Sequence, residues 1–302
     1  MDFSKEFSHA DLMDYLNKVQ SEHDFVGISY IGQSVFGRSI PLIMLGDRTA
    51  QKSVLYVATH HASENICTSV LLRFLEDYIG AYERFAQIYQ INMRYLFKTR
   101  KIYIVPMLNP DGVEYRLSGI SDDNPIRERI IAYNAGEDFS KWNANGRGVD
   151  LNHNYNAHFE KYKAYEQNEG IIYGARGYSG EFPESEPEVS ALANFIRYNA
   201  QEIEGIMTLH SQGEEIYCSS REKTLPKAEH IAKLISRITG YRISRAEGSH
   251  ACGGLTDWAI TELEKPSFTI ECGKGKNPLP PTQMMPIYAK LREILFTFPI
   301  LF

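Results

Sequence analysis

No apolar run in this 302-residue sequence approaches the roughly 20 residues needed to cross a bilayer. Repeats, low-complexity tracts and linker-like breaks are also missing. Cysteine is scarce: Cys67, Cys218, Cys252 and Cys272 are scattered and form no C-x-x-C pair. That pattern suits reduced packing thiols better than a disulfide framework. Positive charge is not in excess either. A formal net charge of −6 argues against a nucleic-acid binder and against tight adhesion to anionic membranes or wall polymers. The first residues, Met1-Asp2-Phe3-Ser4-Lys5-Glu6, show no basic stretch leading into an apolar one, so no signal peptide is expected and a cytoplasmic location is.

What is present is a core-forming chain, 43% hydrophobic, in which strand-like and helix-like segments alternate. An amphipathic helix is expected from Ser8 to about His23, with Leu12, Tyr15, Leu16 and Val19 on one face. Two strands, Gly27 to Val35 and Ser39 to Leu45, flank a glycine turn at Phe36-Gly37-Arg38. Further strands are expected at Ser53–His60, Lys101–Leu108, Ile203–Leu209 and Pro266–Ile270. Helices are expected from Glu64 to about Tyr82, from the Ser185 cap to about Tyr198, over Leu225–Ile238, and from Pro281 to about Phe296. Asn109-Pro110-Asp111-Gly112 reads as a turn, and 113–148 as an irregular excursion walling a cleft. The expectation is one three-layer α/β/α domain spanning 1–302, with a mixed, mostly parallel central sheet.

The chemistry-bearing residues fall just after the strand-like segments. His61-Ala62-Ser63-Glu64 follows the Ser53–His60 strand, and His210 ends a second apolar run. Together they offer two imidazoles and a carboxylate, the three protein ligands with which a catalytic zinc keeps a fourth position open. In open α/β sheets that edge is where ligands bind. His60 stands four residues before Glu64 and points away from His61 on an extended segment, so a packing role is expected for it. Glu271 follows Phe268-Thr269-Ile270, where a carboxylate can shuttle a proton from an acidified water.

At these residues the chain resembles the zinc carboxypeptidase family of the carboxypeptidase A type. The resemblance rests on His61-Ala-Ser-Glu64, Asn109-Pro-Asp-Gly112, Gly148-Val-Asp-Leu-Asn152-His-Asn-Tyr155, Leu209-His210-Ser211, Gly253-Gly254-Leu-Thr-Asp257-Trp258 and Phe268-Thr-Ile-Glu271, matching in order and approximate spacing. It implies that His61, Glu64 and His210 bind one zinc ion and that Glu271 is the general base.

The chain departs from the family's pattern where the substrate is gripped. Ser63 occupies the place of an arginine between the zinc ligands, and His153 that of the arginine holding a terminal carboxylate. Ser249 stands where a tyrosine precedes the Gly-Gly pair, and the oxyanion arginine has no one-to-one match around Lys141–Arg147. Imidazole cannot reproduce a bidentate guanidinium clamp. Trp142-Asn-Ala-Asn145 and His210-Ser-Gln-Gly-Glu-Glu-Ile-Tyr217 are similar to the bacterial γ-D-glutamyl-meso-diaminopimelate peptidase branch. The resemblance implies hydrolysis of that amide in small cell-wall peptides or muropeptides, with Asn152, His153, Arg147 and His250 as substrate contacts. Neither a protein, a nucleic acid nor a membrane is expected as partner. Two rival readings are a carboxypeptidase or deacylase acting on ordinary peptides or acyl-amino acids, and a metal- or peptide-binding module without catalysis.

Overall fold

Near-continuous apolar runs in the central strands dictate a sheet buried on both faces, and that is what forms. In the computed structural model, the described residues, 3 and 5–302, build one eight-stranded sheet. Its strands are β1 (Gly27–Gln33), β2 (Ser39–Leu45), β3 (Ser53–Ala58), β4 (Lys101–Val105), β5 (Ile203–His210), β6 (Glu215–Tyr217), β7 (Arg242–Ser244) and β8 (Ser267–Glu271), in the spatial order β1-β2-β4-β3-β5-β8-β6-β7. The central four, β4-β3-β5-β8, run parallel, while β1–β2, β2–β4 and β8–β6 pair antiparallel.

Odd and even strand positions feed separate cores. Val54, Tyr56, Ile102, Ile104, Met207 and Leu209 face helices Ile66–Glu83, Pro226–Thr239 and Met284–Thr297. Leu55, Val57, Tyr103, Val105 and Ile206 face helices Pro187–Tyr198 and Leu255–Glu262. The three-layer α/β/α expectation is met. The first helix runs His9–Glu22 and buries Leu12, Leu16 and Val19. Its cap is reciprocal: Ser8 Oγ accepts from the Asp11 N–H at 3.0 Å, and Asp11 accepts from the Ser8 N–H at 3.1 Å. No helix among the described residues is long and apolar enough to cross a membrane.

Three local expectations are corrected. Asn109-Pro-Asp-Gly112 is the start of helix Pro110–Ser118, because Asn109 Oδ1 accepts from the Gly112 N–H at 3.0 Å and Pro110 occupies the first turn. The 113–148 excursion is not irregular throughout, since it contains the rest of that helix and helix Arg127–Asn134. Helix Pro187–Tyr198 is preceded by Glu186, not Ser185, at the cap position.

Candidate metal centre

Because β3, β5 and β8 are parallel, their C-terminal ends deliver side chains to one edge of the sheet. Register then sets the spacing: Glu271 pairs directly with His210, and Ala58 with Leu209. After β3 the chain turns sharply through Thr59, whose φ of 58° is costly for a β-branched residue, by about 1–3 kcal/mol. The turn is held by Leu108 N–H on Ala58 O and Asn109 N–H on Thr59 O, both at 3.1 Å. It leads into a single 3-10 turn, Ala62–Glu64, which places Glu64 beneath His61. Asn109 Nδ2 donates to His60 O, Asn143 O and Ala144 O, stitching the 60–64 segment to the 143–144 segment.

His61, Glu64 and His210 each turn one ligand atom to a common point, with those atoms all within 4.8 Å of one another. His61 Nδ1 lies 3.0 Å from Glu64 Oε1, and His210 Nδ1 lies 2.9 Å from Glu64 Oε2. On its other side His61 Nε2 meets Asp150 Oδ1 at 3.0 Å. A neutral imidazole has one N–H and cannot donate to both carboxylates. A cation at Nδ1 resolves this: Nε2–H then donates to Asp150, an arrangement typical of metal-bound histidine. The donor set therefore fits zinc. The same two carboxylates, Glu64 first, raise the His61 pKa well above the ordinary value although burial opposes them. Glu64 is held down at about 2, against the penalty of burial, chiefly by His61 and His210.

His60 stays outside this set. Its Nε2 meets Tyr155 Oη at 2.9 Å and its ring stacks on His210, 5.2 Å between centroids. Glu271 lines a cavity of about 400 Å³ together with His61, Asn152 and His153. Burial first, and the Glu64 charge second, push its pKa well above the usual carboxylate range. Asn152 Oδ1 accepts from the Leu255 N–H at 3.2 Å. His153 is fixed by Nδ1 to Cys252 O at 2.9 Å and by stacking on Tyr162 at 4.0 Å.

Arg147 is not brought to this cavity. Its Nε donates to Glu186 at 2.7 Å and its Nη2 to Ser185 O at 3.1 Å, so a buried acid outcompetes the cleft for the guanidinium. The side chain of His250 lies outside the described residues.

Three features escaped the sequence reading. Asp150, inside a motif already recognised, carries the carboxylate behind His61. Asp257 also lines the cavity; burial raises its pKa to about 7, and its Oδ1 has no partner among the described residues. Arg176 meets the buried Asn143, which in turn meets Ser63. With the Asn143 amide turned to suit its neighbours, its oxygen accepts from Arg176 Nε at 2.9 Å and Nη2 at 2.5 Å, while its nitrogen donates to Ser63 Oγ.

Comparison with known proteins agrees with this geometry. Residues 12–293 match the profile of the family described as zinc carboxypeptidase. The chain is 32% identical over 285 residues to gamma-D-glutamyl-L-diamino acid endopeptidase 1 of Lysinibacillus sphaericus, covering 94% of this chain and 70% of the relative. It is 27% identical to carboxypeptidase B of Bos taurus, covering 90% of this chain and 64% of the relative. Among solved structures, carboxypeptidase A from Helicoverpa armigera superposes with a TM-score of 0.75 at 18% identity, covering 100% of this chain and 74% of that one.

Proposed function

Because the chain belongs to the zinc carboxypeptidase family and is a zinc metallopeptidase, we propose that it cleaves the amide between a γ-D-glutamyl unit and a diamino acid such as meso-diaminopimelate. The observation that carries this reading is the altered clamp. Where ordinary members grip a terminal carboxylate with arginine, His153 is tied to Cys252 O and stacked on Tyr162, which puts an imidazole in place of a bidentate guanidinium at that position. The name of the Lysinibacillus sphaericus relative supports the same substrate class. Strands from residue 27 to residue 271 share one sheet, which favours treating 1–302 as one catalytic domain.

Under this reading His61 and His210 present their Nδ1 atoms, and Glu64 a carboxylate oxygen, to one zinc ion. When bound, the ion supplies positive charge that acidifies water and polarises the scissile carbonyl. Glu271 takes a proton from the attacking water and hands it to the leaving nitrogen. A C–O bond forms, the C–N bond breaks, and the amine departs protonated by Glu271. Asn152 and His153, which line the same cavity, contact the amine-side portion of the substrate.

Digestion of defined muropeptides by zinc-loaded protein, with products read by mass, tests the proposal. The cut is expected between D-glutamate and the diamino acid, with little turnover of hippuryl-type peptides. Turnover of the latter alone would favour an ordinary carboxypeptidase or deacylase. Glu271→Gln should lower kcat by about 10²–10⁴-fold with zinc content unchanged.

A further inference from the structure

Resting on the γ-glutamyl reading, we propose that Arg176 is the residue that binds the free α-carboxylate of the glutamyl unit. In sequence, Arg176 lies far from every motif of the site. The fold carries it there and fixes it from both sides. Ala175 O accepts from the N–H groups of Asn143 and Ala144 at 3.0 and 2.9 Å, and the Gly177 N–H donates to Asp150 Oδ2 at 3.0 Å. Asp150 in turn backs His61. The loop bearing Arg176 is therefore anchored to the metal centre's own scaffold.

Between these anchors the guanidinium rests on Asn143, which bonds Ser63 of the His61–Glu64 turn. Ser63 and Asn143 are both buried and neutral. Arg176 itself is exposed and forms no ion pair with another described residue. Only Nε and Nη2 are engaged, by a neutral amide oxygen, so donors and the full positive charge remain for an anion.

Geometry assigns this cation to the acyl side. Glu271 must reach the leaving nitrogen, so the cavity it lines holds the amine portion. Arg176 does not line that cavity and sits instead at the Ser63–Asn143 side of the metal ligands. A substrate centred on the ion extends its acyl portion there. A γ-linked glutamyl unit always carries a free carboxylate on the acyl side, separated from the scissile carbonyl by two methylenes and Cα, whereas an α-linked residue with a neutral side chain carries none. A guanidinium is the group that recognises a carboxylate with two parallel hydrogen bonds.

The test uses zinc-loaded wild type, Arg176→Gln and Arg176→Lys with two γ-D-glutamyl-diamino acid peptides that differ only in an α-carboxylate or an α-carboxamide. Wild type should prefer the carboxylate in kcat/KM by about 10–100-fold, the worth of a charge-assisted hydrogen bond. Arg176→Gln should abolish that preference by raising KM for the carboxylate peptide alone, with Arg176→Lys intermediate. Calorimetric binding of the carboxylate peptide to Glu271→Gln protein should weaken by a similar factor when Arg176→Gln is added. A wild type that shows no preference, or an Arg176→Gln protein whose kcat falls equally on both peptides, overturns the assignment and points to oxyanion stabilisation or to a structural role. A wild type that cleaves neither peptide but does cleave hippuryl-type peptides overturns the functional reading itself.

Discussion

Replacing Asp150 by asparagine should weaken zinc binding without unfolding the protein. The carboxylate is buried, and three N–H groups converge on it. His61 Nε2 and the Asn152 N–H approach Oδ1 at 3.0 and 3.2 Å, and the Gly177 N–H approaches Oδ2 at 3.0 Å. An amide of the same shape has one acceptor oxygen. If that oxygen faces His61, the amide NH2 confronts the Gly177 N–H; turned the other way, it confronts the imidazole. Either orientation leaves one buried donor unpaired, at about 1–3 kcal/mol. It also removes the negative charge that strengthens His61 as a ligand.

Partners of this kind are worth about 10–100-fold in metal affinity, or about 1.4–2.8 kcal/mol. The assay is competition for zinc against a chromogenic chelator, with circular dichroism and melting of the metal-free protein as the fold control. The sign of the pH dependence follows from the same contacts. Zinc takes the neutral imidazole, so a proton on His61 competes with it. Asp150 is among the groups that raise the His61 pKa; without its charge the competing proton is held less firmly. The deficit of Asp150→Asn should therefore be largest in alkaline buffer and shrink as the pH falls. A folded variant with wild-type zinc affinity at about pH 8 would refute the role given to this carboxylate.

Glu188 is fully buried and burial raises its pKa from 4.5 to about 8, with Asp111 and Glu186 adding to the effect. The folded protein keeps that proton up to about pH 8, whereas the unfolded chain releases it near 4.5. Its contribution is thus complete below 4.5 and lost as pH rises through 8. At about 1.4 kcal/mol per pH unit the ceiling is about 5 kcal/mol. Glu188→Gln should therefore raise the Tm by several degrees at about pH 9 and change it little at about pH 5; equal Tm values at both pH values would contradict a buried neutral acid. Gly253 has a φ of 76°, and a Cβ there would stand 2.4 Å from His153 O. Gly253→Ala should lower the Tm by several degrees and displace His153, raising KM more than it lowers kcat, as read by melting and steady-state kinetics.

The candidate site was legible because most of its residues stand at boundaries that the hydrophobic pattern marks. His61, His210 and Glu271 all follow apolar runs, and parallel strands must end on one edge. The H-x-x-E spacing then fits one tight turn. Asn109 was misread because a cap, a following proline and an acid serve a turn and a helix start equally well. Arg147 was misplaced because nothing local announces that Glu186, 39 residues on, will claim its guanidinium. Arg176 was invisible for a deeper reason. Its position is set by backbone hydrogen bonds of Ala175 and Gly177, and main-chain partners carry no residue-type signature.

Under the proposed reading, these placements together redistribute charge about the scissile bond. Resemblance to ordinary carboxypeptidases implies a cation on the amine side, where a C-terminal carboxylate is held. Here that point is an imidazole engaged by Cys252 O, and the cavity beside it contains Asp257, a buried acid lacking a partner for Oδ1. An unpaired buried acceptor is costly unless a ligand brings a donor to it. Arg245 lines that cavity too, whereas the guanidinium of Arg176, outside it, rests on Asn143. Under the proposed reading, a substrate suited to both halves carries a negative group on its acyl portion and, on its amine portion, a hydrogen-bond donor for Asp257 and an acceptor for Arg245. A γ-glutamyl unit joined to a diamino acid carries all three groups, and the proposed reading rests on that match. Specificity on this scaffold can thus shift while His61, Glu64, His210 and Glu271 stay where the sheet puts them, because the groups that read the substrate are supplied by loops outside the four central strands.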